Sequence, residues 1–210
     1  IFITFFFHMN LFKKIFNSRK TGLKKVLKKE QEEQYLEKNA YAVDELFTIN
    51  FNKNGGKFLY STSIDEVHVF LKKILEENKW DDKSVLILSS KLKKQFSSFH
   101  WKTTKNISDA QLLFTTCEYL IAFDGSLLIS SNQIAEKKLK ELPKNFIVFA
   151  STSQIVQTIG QGLQGIKAKN KKNIPSNITT IKHFKIDKDN NFMNYGSSSK
   201  NLYLILLEDL

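Results

Sequence analysis

After the loop Asn52-Lys53-Asn54-Gly55-Gly56, short apolar runs alternate with amphipathic segments, and this alternation limits the fold more than any other feature of the chain. Residues 57–61 read as a strand. Ser63 followed by Glu66 spells a capping box, which opens a helix through about residue 78 with Val67, Phe70, Leu71, Ile74 and Leu75 on its apolar face. Residues 84–88 are a continuous apolar run, as in a strand buried on both faces. A short helix is expected over residues 91–96. Residues 119–123 and 127–129 form two apolar runs around Asp124-Gly125-Ser126, and Asp-Gly between such runs predicts a hairpin. A helix over 134–142, a strand over 146–149, a helix starting near Ser153 and a terminal strand over 202–207 complete the series.

Strands that alternate with helices predict an α/β fold: a mainly parallel sheet with helices on both faces, carrying one antiparallel hairpin. With 210 residues, 41% of them hydrophobic, the chain can build one substantial core. The main domain is expected to begin at residue 56. Residues 9–55 read as a Lys-rich N-terminal segment, with Leu11, Phe12, Ile15, Phe16, Leu23, Val26 and Leu27 at helical spacing and a break near Thr21-Gly22. The apolar residues 1–8 are too few to span a bilayer and carry no basic lead or cleavage site. Met9 reads as the natural start and the eight residues before it as an upstream or appended extension, with a membrane-surface anchor as the alternative.

The formal net charge of +11 raises the question of nucleic acid. Nearly all basic residues are lysines dispersed along the chain, so a solvated basic surface is expected instead, with a small anionic ligand still open. The single cysteine, Cys117, excludes an intrachain disulfide and a Cys-rich iron-sulfur or zinc site of the chain's own. It fits a reducing, cytoplasmic setting. His8, His68, His100 and His183 lack the paired spacing of metal ligands.

Gly160-Gln161-Gly162-Leu163-Gln164-Gly165 spells G-x-G-x-x-G, with Asp187 about twenty residues on. The dinucleotide motif needs its first glycine to turn directly out of a strand. Here the preceding strand ends near Phe149, so the glycines are read as interrupting a helix and no NAD site is expected. P-loop, nucleophile-elbow and H-E-x-x-H spellings are absent.

Three loops remain as candidates, because ligands of parallel sheets bind at the carboxyl ends of the strands. Asp124-Gly125-Ser126 is either a hairpin turn or the carrier of an acid. Residues 173–180 hold Pro175, Ser176, Asn177 and Thr179 and present amide and hydroxyl groups. Gly196-Ser197-Ser198-Ser199-Lys200 offers open backbone N–H groups beside a cation, or is a surface turn.

In this order and spacing, the three loops resemble the lactate-utilization (LUD) domain family, in particular its lactate utilization protein C group. The family's A-D-Y-x-I-A strand and E-T-G-T-like turn are matched by Glu118-Tyr119-Leu120-Ile121-Ala122 and Asp124-Gly125-Ser126. Glu141-Leu142-Pro143 and the strand 146–149 follow. Pro175-Ser176-Asn177-Ile178-Thr179 partly matches a G-P-S-x-T loop, and residues 195–207 match a terminal H-G-P-x-x-L-x-V-x-L segment. Asp124 replaces the turn glutamate, the loop arginine is either replaced by Asn177 or lost, and Ser197 replaces a proline, which marks a divergent branch. The resemblance implies a Rossmann-like fold of the NagB/RpiA/CoA-transferase type and a cluster-free role beside iron-sulfur partners that oxidise L-lactate to pyruvate. It makes Asp124 the candidate acid/base and Gly125, Ser126, Pro175, Ser176, Asn177, Thr179, Gly196, Ser197 and Lys200 candidate ligand contacts. No metal or cofactor is expected on this chain. A stand-alone enzyme for a phosphorylated or CoA-linked substrate, and a basic protein-interaction module, are the alternatives.

Overall fold

Asp44 and Glu45 in the first turn and Lys53 in the last complement the dipole of α1 (Val43–Lys53). Leu46, Phe47, Asn50 and Phe51 lie on one side of it and are buried. The computed structural model describes residues 41–184 and 199–209. The compact unit within it starts at Val43, so α1 belongs to the main domain and the boundary falls well before the expected residue 56. The helix expected over residues 10–39 and the extension expected at residues 1–8 lie outside the described residues, as do Asp187, Gly196 and Ser197.

From α1 the chain enters β1 (Lys57–Ser61), then α2 (Ile64–Asn78), whose N-cap Ser63 accepts from the Glu66 N–H as the capping box predicts. β2 (Val85–Leu86), α3 (Ser90–Gln95), β3 (Leu112–Thr115) and the hairpin strands β4 (Tyr119–Ile121) and β5 (Ser126–Ile129) follow. The remaining elements are α4 (Ser131–Ile134), β6 (Asn145–Ser151), β7 (Ile155–Val156), α5 (Ile159–Lys169), β8 (Thr179–Ile181) and β9 (Asn201–Leu207).

Two sheets result. The first has the order β1-β9-β6-β3-β2 and is parallel throughout. The second, β7-β4-β5-β8, is built on the antiparallel hairpin, with β8 antiparallel to β5 and β7 parallel to β4.

Alternation along the strands divides the interior. Leu112 and Phe114 of β3 and Tyr203 and Ile205 of β9 face α2 and α3, joining Val67, Leu71, Ile74, Leu92 and Phe96. Leu113, Leu202, Leu204 and Leu206 face the other way, into a core with Phe47 and Phe51 of α1 and Leu120, Leu127 and Ile129 of the second sheet. The outer face of that second sheet, Tyr119, Ile121 and Leu128, packs on Ile166 of α5. The domain is therefore an α/β stack: helices, parallel sheet, α1 with the mixed sheet, then α5.

Three expected elements differ. The helix expected over 134–142 is one turn, α4, because Ala135 takes a positive φ of 52° and stops it; a 3-10 turn follows at Leu139–Glu141. The helix expected from Ser153 begins at Ile159. Residues Thr152–Gln154 make a 3-10 turn, and Ile155–Val156 form β7 on the edge of β4 instead. Thr179–Ile181, inside an expected loop, is strand β8. The glycine motif does lie in a helix, α5, capped by Thr158 and Gln161. Gly165 is required there, since a Cβ would strike the ring and hydroxyl of Tyr119.

Candidate functional site

In a parallel sheet the carboxyl ends of the strands leave their loops free for ligands. Here those ends carry Ser61, Thr115, Ser151 and the segment after Leu207. Between them and α1 lies a cleft of about 520 Å³, lined among others by Asp44, Glu45 and Thr48 of α1, Tyr60 of β1, Thr152 and Glu208. Partial desolvation, together with a hydrogen bond to Glu208 and the charges of Glu208 and Asp44, raises the Tyr60 hydroxyl above its ordinary pKa, although the side chain is 44% exposed. Asp209 closes the rim. Its carboxylate accepts from the Thr152 hydroxyl at 2.9 Å, the Ser153 N–H at 2.9 Å and the Ser153 hydroxyl at 2.7 Å. The Ser153 contacts dominate in holding it down to about 2.

A polar knot joins the two sheets beside this rim. The buried Ser130 hydroxyl donates to Glu118 Oε1 at 2.6 Å, and Asn132 Nδ2 donates to the same oxygen at 2.9 Å. Gln154 Nε2 donates to the Cys117 carbonyl at 2.7 Å and the Glu118 carbonyl at 3.2 Å. The end of β3 is thereby tied to the turn after β6. Ser130-x-x-Gln133 is a capping-box spelling directly after an apolar run, a signal that could have located this knot from sequence. The cleft carboxylates leave no such signal, because they converge from residues 44, 45 and 208 only on folding.

The loops singled out from sequence do not converge. Asp124 spends one carboxylate oxygen on the Ser126 N–H (3.1 Å) and hydroxyl (2.6 Å), while the other lies 3.5 Å from the Lys182 ammonium. Its backbone carbonyl accepts from Asn54 Nδ2 at 2.7 Å. Gly125 sits at φ +68° with its α-carbon against the backbone of Asn50 and Phe51, leaving no room for a Cβ. This is a turn docked on α1, and Ser126 is buried within it.

Thr179 pairs with Ile129, whereas Ile181 pairs with Leu127 beside the turn, so residues 175–179 approach the opposite end of β5. There Pro175 is buried, the Ser176 hydroxyl donates to Glu136 at 2.5 Å, and Asn177, at φ 50°, donates to the carbonyls of Ala135 at 3.2 Å and Lys137 at 2.8 Å. Those two carbonyls are freed by the break after α4, which the asparagine closes.

Lys200 occupies a third place. It is 2% exposed, and its ammonium donates to the carbonyls of Leu139 (2.7 Å), Leu142 (3.0 Å) and Pro143 (3.0 Å) above the Phe146 ring. All three donors of the ammonium are used. It is a structural tie, and the anion-partner role expected of it has no free donor to rest on.

An α/β domain with a polar crevice at the carboxyl ends of a parallel sheet is a class shared by many binding proteins and enzymes. The LUD-domain family model matches residues 45–207, from α1 to the end of β9. The chain belongs to the LUD-domain family, a family associated with lactate utilization. A crystal structure of a DUF162 family protein from Deinococcus radiodurans is similar, with a TM-score of 0.54 at 14% identity, over 80% of this chain and 96% of that one. At that identity the likeness is one of fold. No curated protein matches the chain.

Proposed function

We propose that this protein is the cluster-free component of an iron-sulfur system that oxidises L-lactate to pyruvate in the cytoplasm. The family match over residues 45–207 carries this reading, because it spans both sheets. Oxidation of lactate releases two electrons and two protons, and an electron acceptor must be present. The one cysteine of the chain is buried, and its thiol is pushed up by that burial, so cluster ligation would fall to partner subunits. Among the described residues, no group of three or more His, Cys, Asp or Glu side chains is placed to hold a metal, and no helix is long and apolar enough to cross a membrane.

The cleft favours an accessory role over direct substrate binding. Asp44, Glu45 and Glu208 line it, and the carboxylate of lactate would meet like charge there. A basic or neutral segment of a partner suits this rim better. The test is a pull-down of the tagged protein from its native cells, assayed for iron, sulfide and lactate-dependent dye reduction. A lactate-oxidising, iron-containing eluate supports the proposal. An eluate without iron or partner, together with normal growth on lactate of a strain lacking the protein, overturns it.

A further inference from the structure

β1 is an end strand of the five-stranded sheet: β9 lies on one side of it, and among the described residues no strand lies on the other. The Ser61 carbonyl accepts from the Glu208 N–H, on the β9 side, at 2.8 Å. Backbone groups alternate in direction along a strand, so Lys57, Leu59 and Ser61 spend theirs on β9. The N–H and C=O of Phe58 and Tyr60 therefore point out from the sheet. Proline or a bulge commonly guards such an edge, but Lys57-Phe58-Leu59-Tyr60-Ser61 pairs with β9 in unbroken register and carries Lys57 as its one charge.

The side chains of the same two residues line the carboxyl-end cleft, where Val43, Ile155 and Leu206 add apolar surface. The Tyr60 hydroxyl bonds to Glu208 and lies within the field of Asp44, so both carboxylates stand beside the end of β1. Glu45 lines the cleft with them. Although the chain carries a net charge of +11, none of these three carboxylates has an ion-pair partner among the described residues. An open strand edge and an uncompensated acidic rim thus meet at Tyr60.

We propose that the outer edge of β1 takes up an extended, basic segment of a partner protein as a sixth strand, with alternate lysine or arginine side chains turned toward Asp44, Glu45 and Glu208. Main-chain bonds to Phe58 and Tyr60 hold the segment, and the carboxylates select its charge. The proposal deepens the accessory reading of the rim and rests on it. A second copy of this chain pairing through its own β1 fits less well. It would bring Phe58 and Tyr60 to the cleft face and no cation, because Lys57 points to the opposite face, where it meets Tyr203.

The probe is a fluorescein-labelled peptide of alternating lysine and valine, titrated with the full-length protein by anisotropy at about 0.15 M salt. The protein's net charge repels such a peptide in general, so binding reports a local site. The expected result is saturable binding with a Kd of about 10–100 μM, weakened about tenfold for a glutamate-valine peptide and for the Asp44→Asn/Glu45→Gln/Glu208→Gln variant. Tyr60→Pro removes an N–H that β9 does not use and should weaken binding about tenfold beyond Tyr60→Ala. Two peptides N-methylated at alternate residues, one on the lysines and one on the valines, test the same pairing without altering the protein; the one whose blocked nitrogens face β1 should lose about tenfold. A flat titration up to about 1 mM overturns the proposal. So do equal binding of the acidic peptide, undiminished binding by the carboxylate variant, or parent-like binding of both methylated peptides. A dimer of this chain in ultracentrifugation that Tyr60→Pro dissolves assigns the edge to a second copy and overturns it too. An iron-free pull-down beside charge-selective peptide binding sinks the lactate reading and upholds the edge site, whereas an iron-containing pull-down beside a flat titration sinks the edge site alone.

Discussion

Asn50 on α1 and Ala122 at the end of β4 are 72 residues apart and joined by a 2.9 Å hydrogen bond from the asparagine amide to the alanine carbonyl. The same amide reaches the Phe123 carbonyl at 3.2 Å, and Asn50 is only 8% exposed. This side chain fixes the hairpin on the helix. Asn50→Ala leaves two carbonyls without that donor, and a loss of about 1–3 kcal/mol is expected in urea unfolding. A variant within a few tenths of wild type would show that the helix and hairpin dock without it.

Asp124→Asn separates structure from catalysis. The asparagine oxygen can still accept from Ser126, and only the half-exposed contact with Lys182 is lost. Stability should fall by no more than about 1 kcal/mol. Lactate-dependent dye reduction by the assembled complex should be unchanged. A collapse of that activity in a folded variant would restore Asp124 as an acid/base.

Lys200→Met removes the donor from three carbonyls and should cost about 2–5 kcal/mol, measurable as a lower denaturation midpoint. Its pH dependence has a definite sign. Burial, and secondarily the charge of Lys144, pull Lys200 from 10.5 to about 8, so between those values the unfolded chain binds more protons than the folded one. Stability from this group therefore rises with pH above about 8. The difference between wild type and Lys200→Met should widen from pH 7 to pH 9.5, and a constant difference would argue against the depressed value.

Gly165→Ala drives a methyl group into Tyr119, and overpacking of this kind costs about 1–3 kcal/mol. Gly160→Ala is the internal control, since a Cβ there meets only the Thr158 hydroxyl at 3.8 Å. Equal thermal midpoints for the two variants would refute the close packing of α5 on β4.

The legible parts of the fold were those written in local pattern. Ser63 and Glu66 announced α2, Asp124-Gly125 announced the hairpin, and the spacing from the preceding strand placed the glycine motif in a helix, as found for α5. β3 was missed because Leu112–Thr115 is too short and too uniformly apolar to show a period, and its identity as a strand comes from pairing with β6. β7 and β8 have the same origin: two or three residues recruited by the edges of a hairpin. Site residues fared less well for a related reason. Lys200 reads as a cation beside a small-residue loop, and nothing local tells that its partners are the carbonyls of residues 139, 142 and 143. Asp44, Glu45 and Glu208 stand at opposite ends of the sequence and meet only because β1 and β9 are neighbours.

That neighbourhood also sets a schedule for synthesis. β9 lies between β1 and β6, yet residues 201–207 leave the ribosome after every other described strand. Until then the nascent chain holds β1 apart from the β6-β3-β2 group and exposes two unpaired strand edges. Contacts between such distant residues form slowly, and open edges invite pairing with other chains. A ribosome stalled before residue 201 would carry a sticky half-sheet, so this protein is expected to depend on chaperone cover during its translation.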